Sequence, residues 1–356
     1  VLKSSNKTTY NGNYGLNAQW TVYNGSKRLK TIEQEKLNNR VANLDVATSE
    51  NDIEQSIAQV YIQILYAAES VKVNENTLQV SEAQRDRGKQ LLDAGSIARS
   101  DYAQLEAQVS TDRYQLVTAQ ATLQDYKLQL KQLLELDGEQ EMQVYLPALG
   151  DENVLSPLPT KTDVFRSAVA LRPEIEASKL SVEASELGIG IAKSGYLPSV
   201  SLTAGIGTNH TSGSDFTFGE QVKNGWNNSI GLSISVPIFN NRQTKSAVEK
   251  AKLQYQTSQL TLLDEQKTLY KTIEGLWLDA NSAQQRYAAA IEKLHSTQTS
   301  YELVSEQFNA GMKNTVELLT EKNNLLQAQQ ELLQSKYMAI LNTQLLKFYQ
   351  GDKITL

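Results

Sequence analysis

Hydrophobic and polar positions alternate in two different ways along this chain. Ile273, Ala280, Tyr287, Leu294, Tyr301 and Phe308 keep a strict spacing of seven. Ile57, Ile64, Val71, Leu78, Arg85 and Leu92 repeat that spacing, with Arg85 as the exception. A period of seven held over five steps specifies helices that pack along their length with left-handed supercoiling. The seam is diluted, since Trp277, Gln284, Ile291 and Gln298 occupy its second position. It suits a helix with neighbours on two sides, not a two-stranded zipper. The spacing predicts helices over about Lys27 to Leu92 and Gln243 to Phe308, each a rod of roughly 100 Å. Return helices are expected from Arg99 to about Leu136 and from Thr315 to about Phe348. Glycines in Asp137-Gly138 and Gln350-Gly351 would end them.

The second pattern has a period of two. Tyr14, Leu16, Ala18, Trp20 and Val22 alternate with Gly15, Asn17, Gln19 and Thr21. Val200, Leu202, Ala204 and Ile206 alternate with Ser201, Thr203, Gly205 and Gly207. In SIGLSISVPIF, Ile230, Leu232, Ile234, Val236 and Ile238 alternate with Ser, Gly and Pro. Three strands are therefore expected, the last two joined by a polar, Gly-rich loop from Thr208 to Asn228. One reading is a small antiparallel sheet on a local core. The other is a transmembrane β-barrel wall, apolar outside and small or polar inside. Tyr14, Trp20, Tyr23, Trp226 and Phe239 at the strand ends suit an interfacial aromatic girdle. The helices are committed to long rods, so no amphipathic element is left to cover a sheet, which favours the barrel. So few strands cannot close one, and an open edge in lipid leaves backbone groups unsatisfied. The barrel must be shared among several chains.

The two rod-and-strand segments are one unit written twice. Gly15-Leu16 matches Gly231-Leu232, Asn24 matches Asn240, and Ile57 matches Ile273, always 216 residues apart. Tyr61 aligns with Trp277, and Asp93-Ala94-Gly95 with Asn309-Ala310-Gly311. The period is too long for a solenoid and indicates a tandem duplication. All six prolines lie between 147 and 237, which leaves both flanks free for uninterrupted helix. The expected organisation is a barrel strand in 1–24, a helical hairpin in 25–136 and a crossing linker in 137–162. A leading helix in 163–196, a strand hairpin in 197–240, a second helical hairpin in 241–349 and a tail in 350–356 follow. Thr160-x-x-Asp163 resembles a capping box before the leading helix. Pro173 either kinks that helix or begins a new one.

Composition narrows the function. The chain has 356 residues and a net charge of −6, which argues against a nucleic-acid groove. It has no cysteine and two histidines, His210 and His295, so no metal, nucleophile–base or cofactor constellation is indicated. No run of about 18 apolar residues exists, which excludes a transmembrane helix but not a membrane β-strand. Arg172 and Glu174 read as fixing the helix break, and His295 as a solvated helix residue.

Together, the tandem repeat, LRPEI leading into YLPSVSL, the hairpin closing in SVPIFNN, and the paired tips LDAG and FNAG resemble the TolC-like outer-membrane efflux protein family. The resemblance covers nearly the whole chain. It implies a mainly α fold with a small β part, in which long antiparallel coiled coils form a periplasmic α-barrel beneath outer-membrane strands. Three protomers would share one β-barrel, four strands from each. It implies a non-enzymatic exit duct of a tripartite efflux or type I secretion system, in the outer membrane and periplasm of a Gram-negative bacterium. Partners would be a periplasmic adaptor, an inner-membrane pump of RND or ABC type, a homotrimer and outer-membrane lipid. The tips (Gly95, Ser96, Ile97, Ala98, and Gly311, Met312, Lys313, Asn314) would dock the adaptor, six similar tips per trimer. Asp101, Phe308 and Lys313 align with links that hold the entrance shut, Phe308 lacking the hydroxyl expected there. Glu317 falls at a pore constriction, and Thr320 where a second acid is expected; Glu317 also reads as a helix-capping partner of Asn314. The first repeat lacks a leading helix and first strand, so the chain is expected to be an N-terminally shortened piece. A soluble coiled-coil scaffold or holdase is the alternative, and the strand alternation speaks against it.

Overall fold

A computed structural model of the chain describes residues 8–137, 142–147, 150 and 154–354. Strand β1 (Asn11–Asn24) leads into α1 (Lys27–Asp93), which α2 (Arg99–Leu133) follows. Then come α3 (Lys161–Leu171), α4 (Pro173–Lys193), a short 3-10 turn (Ser194–Tyr196), β2 (Ser199–Thr211), α5 (Phe218–Asn224) and β3 (Asn227–Ser235). Helices α6 (Gln243–Asn309) and α7 (Thr315–Gln350) complete the order. Helices α1 and α6 are each 67 residues long, as the seven-residue spacing predicts.

The duplication is visible in the backbone. Helices α1 and α6 begin and end 216 residues apart, as do the starts of α2 and α7. Each strand enters its long helix through two successive left-handed residues, Gly25-Ser26 in the first repeat and Asn241-Arg242 in the second. Each hairpin tip turns on a left-handed glycine, Gly95 (φ 71°) and Gly311 (φ 75°).

The chain divides into two compact units, to both of which α1 and α6 contribute. One comprises residues 1–44 and 176–264 and contains the sheet. Its order is β1-β2-β3, both pairs antiparallel, with Leu16 opposite Ile206 and Leu202 opposite Leu232. A bulge between Thr21 and Tyr23 corrects the expected alternation: Tyr23, not Val22, sits opposite Val200 and shares the face of Trp20. Strand β3 stops at Ser235, so Val236 to Phe239 lie beyond the pairing. The 208–228 segment, expected as loop, instead extends β2 and contains α5. Below the sheet, Leu37 of α1 packs on Leu180 and Ala184 of α4. Gln34 Nε2 donates to the Ala184 carbonyl at 2.8 Å.

The other unit comprises residues 45–175 and 265–356. Ile273, Ala280, Tyr287 and Phe308 of the α6 register are buried as expected. In lower α1 the buried seam instead runs Ala67, Asn74, Ser81 and Gly88, a seven-residue series of small and polar residues. Leu78 and Leu92 are only half-buried. Small residues win there because α2 approaches closely: a Cβ at Gly88 would lie 2.3 Å from Leu105 Cδ1. Pro173 takes the first position of α4, after Arg172 has left helical geometry (ψ 127°). Helix α2 ends at Leu133, with left-handed Glu135 (φ 51°) in the role expected of Gly138, which lies outside the described residues.

Candidate functional site

Two faces of the sheet carry opposite chemistry. Leu16, Trp20, Ile230, Leu232 and Ile234 are 61 to 84% exposed, so no described residue covers these aliphatic rows. The other face pairs Gly15 with Gly207, Asn17 with Gly205, Gln19 with Thr203 and Thr21 with Ser201. Its third row is Asn227, Ser229, Gly231 and Ser233. The glycines there make room for neighbouring polar groups: a Cβ at Gly205 would meet Asn17 Oδ1 at 2.8 Å and Ser229 Oγ at 2.9 Å. A sheet in water would bury the aliphatic face and expose the other. Here the aliphatic rows are bare and the polar face is lined by small side chains.

At the tips, Gly95 and Gly311 have nothing within 4 Å of a Cβ position, so only their backbone conformation demands glycine. Met312 is 71% exposed, and Ser96, Ala98 and Asn314 are also exposed, whereas Ile97 and Lys313 are half-buried. Asp101 accepts from the Ala98 amide at 3.3 Å, in the first turn of α2. Asn314 and Glu317 form a reciprocal capping box at the start of α7. Lys313 pairs with Glu317 one turn on. That hydrogen bond, then the Asn314 amide, hold the Glu317 carboxyl below the ordinary glutamate value. Within the chain Asp101 and Lys313 are thus engaged locally, and no ion pair joins them. Phe308 is buried against Leu105 and Leu318, with Leu91 and Tyr301 alongside. Thr320 donates its hydroxyl to the Val316 carbonyl at 2.8 Å.

Above this cluster lies a feature the sequence did not reveal. Lys322 of α7 and Asp112 of α2 form an ion pair that is almost entirely buried, with side chains 3% and 1% exposed. Lys322 Nζ also donates to Ser81 Oγ of α1, whose hydroxyl donates to Asp112. Gln108 Nε2 reaches the other carboxylate oxygen at 2.9 Å. Burial is the largest influence on Lys322 and pushes its pKa down, with Asp112 opposing. Nearby, Gln84 Nε2 donates to Tyr301 Oη at 2.8 Å, a second tie between the hairpins.

Two further anchors follow the repeat. Tyr61 Oη donates to the Tyr145 carbonyl at 2.8 Å, and its aligned residue Trp277 donates Nε1 to the Pro159 carbonyl at 3.0 Å. Both fasten the crossing segment between the hairpins. Arg172, at the break between α3 and α4, lies with its guanidinium 4.5 Å from the Phe348 ring centre and 4.0 Å from that of Tyr349. Among the described residues no helix is long and apolar enough to cross a membrane, and no cluster of metal-ligating side chains occurs.

Duplicated strand–rod–tip units define a mainly helical protein in which long coiled-coil helices accompany a small antiparallel sheet with a bare aliphatic face. The model of the outer membrane efflux protein family matches residues 164–351, and the chain belongs to that family. It is 24% identical over 335 residues to the outer membrane protein TolC of Escherichia coli, covering 90% of this chain and 66% of TolC. It is 24% identical over 294 residues to the outer membrane efflux protein BepC of Brucella suis, covering 82% of this chain and 61% of BepC. The chain thus spans about three fifths to two thirds of these relatives. A crystal structure of CusC shares the fold with a TM-score of 0.82, at 19% identity over 98% of this chain and 80% of CusC.

Proposed function

We propose that this chain is the core of an outer-membrane exit duct, a passive channel in a tripartite efflux or type I secretion system of a Gram-negative bacterium. The observation that carries the reading is the sheet: three antiparallel strands, bare aliphatic rows on one face, and Gly, Ser, Thr and Asn on the other. In a shared barrel the first face meets lipid and the second lines the bore. The unpaired outer edge of β3 requires a strand from a neighbouring copy, and a homotrimer supplies it. The long hairpins then extend the bore into the periplasm. Energy comes from an inner-membrane pump of RND or ABC type, coupled through a periplasmic adaptor. The chain itself carries out no chemical reaction.

The tips centred on Gly95 and Gly311 are the adaptor-docking elements. Asp101 and Lys313 link neighbouring copies when the entrance is shut, exchanging their local partners for each other. Phe308 supports them from the core. Glu317 faces the constriction with its charge already balanced by Lys313, which weakens the cation preference of a bare carboxylate ring. Thr320, bonded to its own helix, widens that ring. Planar-bilayer recording on the full-length protein tests the reading. Stable channels are expected, with higher conductance in the Asp101→Ala, Lys313→Ala double variant. A protein that remains water-soluble without detergent and never forms channels overturns the proposal.

A further inference from the structure

We propose that α5 and the aromatic side chains around it form a docking surface for the lipid headgroup region of the outer leaflet. This inference rests on the barrel reading above. Register sets which way the surface faces. Tyr14 lies opposite Thr208, in phase with the bare row of Leu16, Ala18 and Trp20 and its partners Ile206, Ala204 and Leu202. Beyond them, His210 and, by its pairing with Ser212, Tyr10 continue the same face. Helix α5 folds onto this extension. Phe218 packs edge-on to Tyr14 at 6.4 Å and against His210 at 5.0 Å between ring centres. Thr208 Oγ1 donates to the Val222 carbonyl at 2.9 Å. The helix therefore sits on the aliphatic side of the sheet, not over the polar face that would line a bore.

The segment is held stiffly for its length. Thr217 and Glu220 close a capping box, and Gln221 bridges the Thr211 amide and the Phe216 carbonyl. Even so, Tyr10, Tyr14, Phe216, Phe218 and Trp226 stay 53 to 72% exposed. Trp226 precedes β3 in phase with the lipid-side Asn228 and Ile230. From Val200 to Ile206 the aliphatic rows span about 20 Å along the strand at ~3.3 Å per residue, within the roughly 25 Å height of an outer-membrane apolar band. The aromatic cluster begins where that band ends, the depth at which rings with a polar edge are favoured. A second copy is a poor occupant, because copies of a shared barrel join through the backbone edges of their strands, which leaves this face free. Continuity with the apolar rows selects lipid.

The test uses the full-length protein, reconstituted in phosphatidylethanolamine–phosphatidylglycerol vesicles containing brominated lipid. Trp20, Trp226 and Trp277 are its tryptophans within this chain; all others are replaced by Phe to leave one reporter at a time. Trp226, and separately a Phe218→Trp reporter in a background lacking the rest, should show blue-shifted emission. Both should be quenched at least about twofold more by bromines near the headgroup than by bromines near the chain end, the signature of a boundary location. Trp20, expected in the girdle, instead pairs with Leu202 within the aliphatic rows and should be quenched wherever the barrel inserts. Water-like emission and no quenching from both reporters, with Trp20 still quenched, overturns this proposal and leaves the barrel standing. No quenching of Trp20 overturns the barrel reading, and this inference with it.

Discussion

Asp112→Ala tests the energetics of the buried ion pair directly. The substitution leaves the Lys322 ammonium in a site where it is 3% exposed, with Ser81 as its remaining partner. Breaking a buried pair from one side costs about 3–5 kcal/mol, because an uncompensated charge is left behind. Lys322→Met should cost less, about 1–3 kcal/mol, since Asp112 keeps the Ser81 and Gln108 donors. Replacing both with Asp112→Leu and Lys322→Met removes both charges and should return close to wild-type stability. Amide hydrogen exchange reads the effect locally. Residues around Ser81, Asp112 and Lys322 should exchange on the order of 10²–10⁴ faster in Asp112→Ala, at one decade per ~1.4 kcal/mol. The pH dependence has a definite sign. With Asp112 gone, burial depresses the Lys322 pKa unopposed, so the folded state binds fewer protons than the unfolded one. Stability then rises with pH until the ordinary lysine value near ~10.4 is passed, and the deficit in urea midpoint shrinks along the way. A double variant as loose as Asp112→Ala, or unchanged exchange in the single variant, refutes the reasoning.

Three other outcomes follow from the geometry. Gly311→Ala should destabilise the second tip by about 1–2 kcal/mol through backbone strain alone, because φ is 75° and the Cβ meets nothing; proteolysis confined to the 309–314 turn reads this. Leu232→Arg should reduce membrane-inserted trimer by about 2–4 kcal/mol of insertion energy if placed near mid-bilayer, whereas Ser233→Arg should leave insertion intact and alter conductance; equal effects on insertion would remove the two-faced reading. The Glu317 carboxyl is held below its ordinary value, so its capping contribution is present above the unfolded pKa and is lost as pH falls through the folded one. NMR titration should place it below the ordinary glutamate value, and Lys313→Ala should raise it.

Much of this architecture was legible because its determinants are periodic. The ends of α1 and α6 followed from the seven-residue spacing, and the strand faces from alternation. Three features escaped, each for a physical reason. The bulge at Val22 changes no residue type, and an alternating Val-Tyr pair reads equally well with or without it. Helix α5 was hidden inside a polar stretch, although Thr217-x-x-Glu220 is the same capping signal read at Thr160 and Asp163. The ion pair was invisible because Lys322, Asp112 and Ser81 resemble solvated-face residues one at a time. They become a buried network only where Gly88 and the small seam residues draw α1 and α2 together. The tip residues show the reverse limit: Asp101 and Lys313 are bonded at the starts of their own helices, and the links proposed for them need groups outside this chain.

The duplication explains where the two hairpins differ. Positions that shape the backbone repeat faithfully: the paired left-handed turns, the tip glycines, and Tyr61 with Trp277 as linker anchors. The buried ion pair does not repeat. Thr297 stands where Ser81 has its counterpart, buried Ala328 where Asp112 does, and exposed Glu106 where Lys322 does. Each repeat therefore supplies one half of a single bond, and the mirror-image bond is absent. Lys322 of α7 reaches both α2 and α1 of the first hairpin, whereas Glu106, its counterpart on α2, meets no such pair at Ala328 of α7 and Thr297 of α6. Buried polar groups add little stability over an apolar replacement, but they do fix one pairing against its alternatives. In a chain whose two halves have nearly the same shape, such a bond distinguishes the hairpins and sets which neighbour each helix keeps.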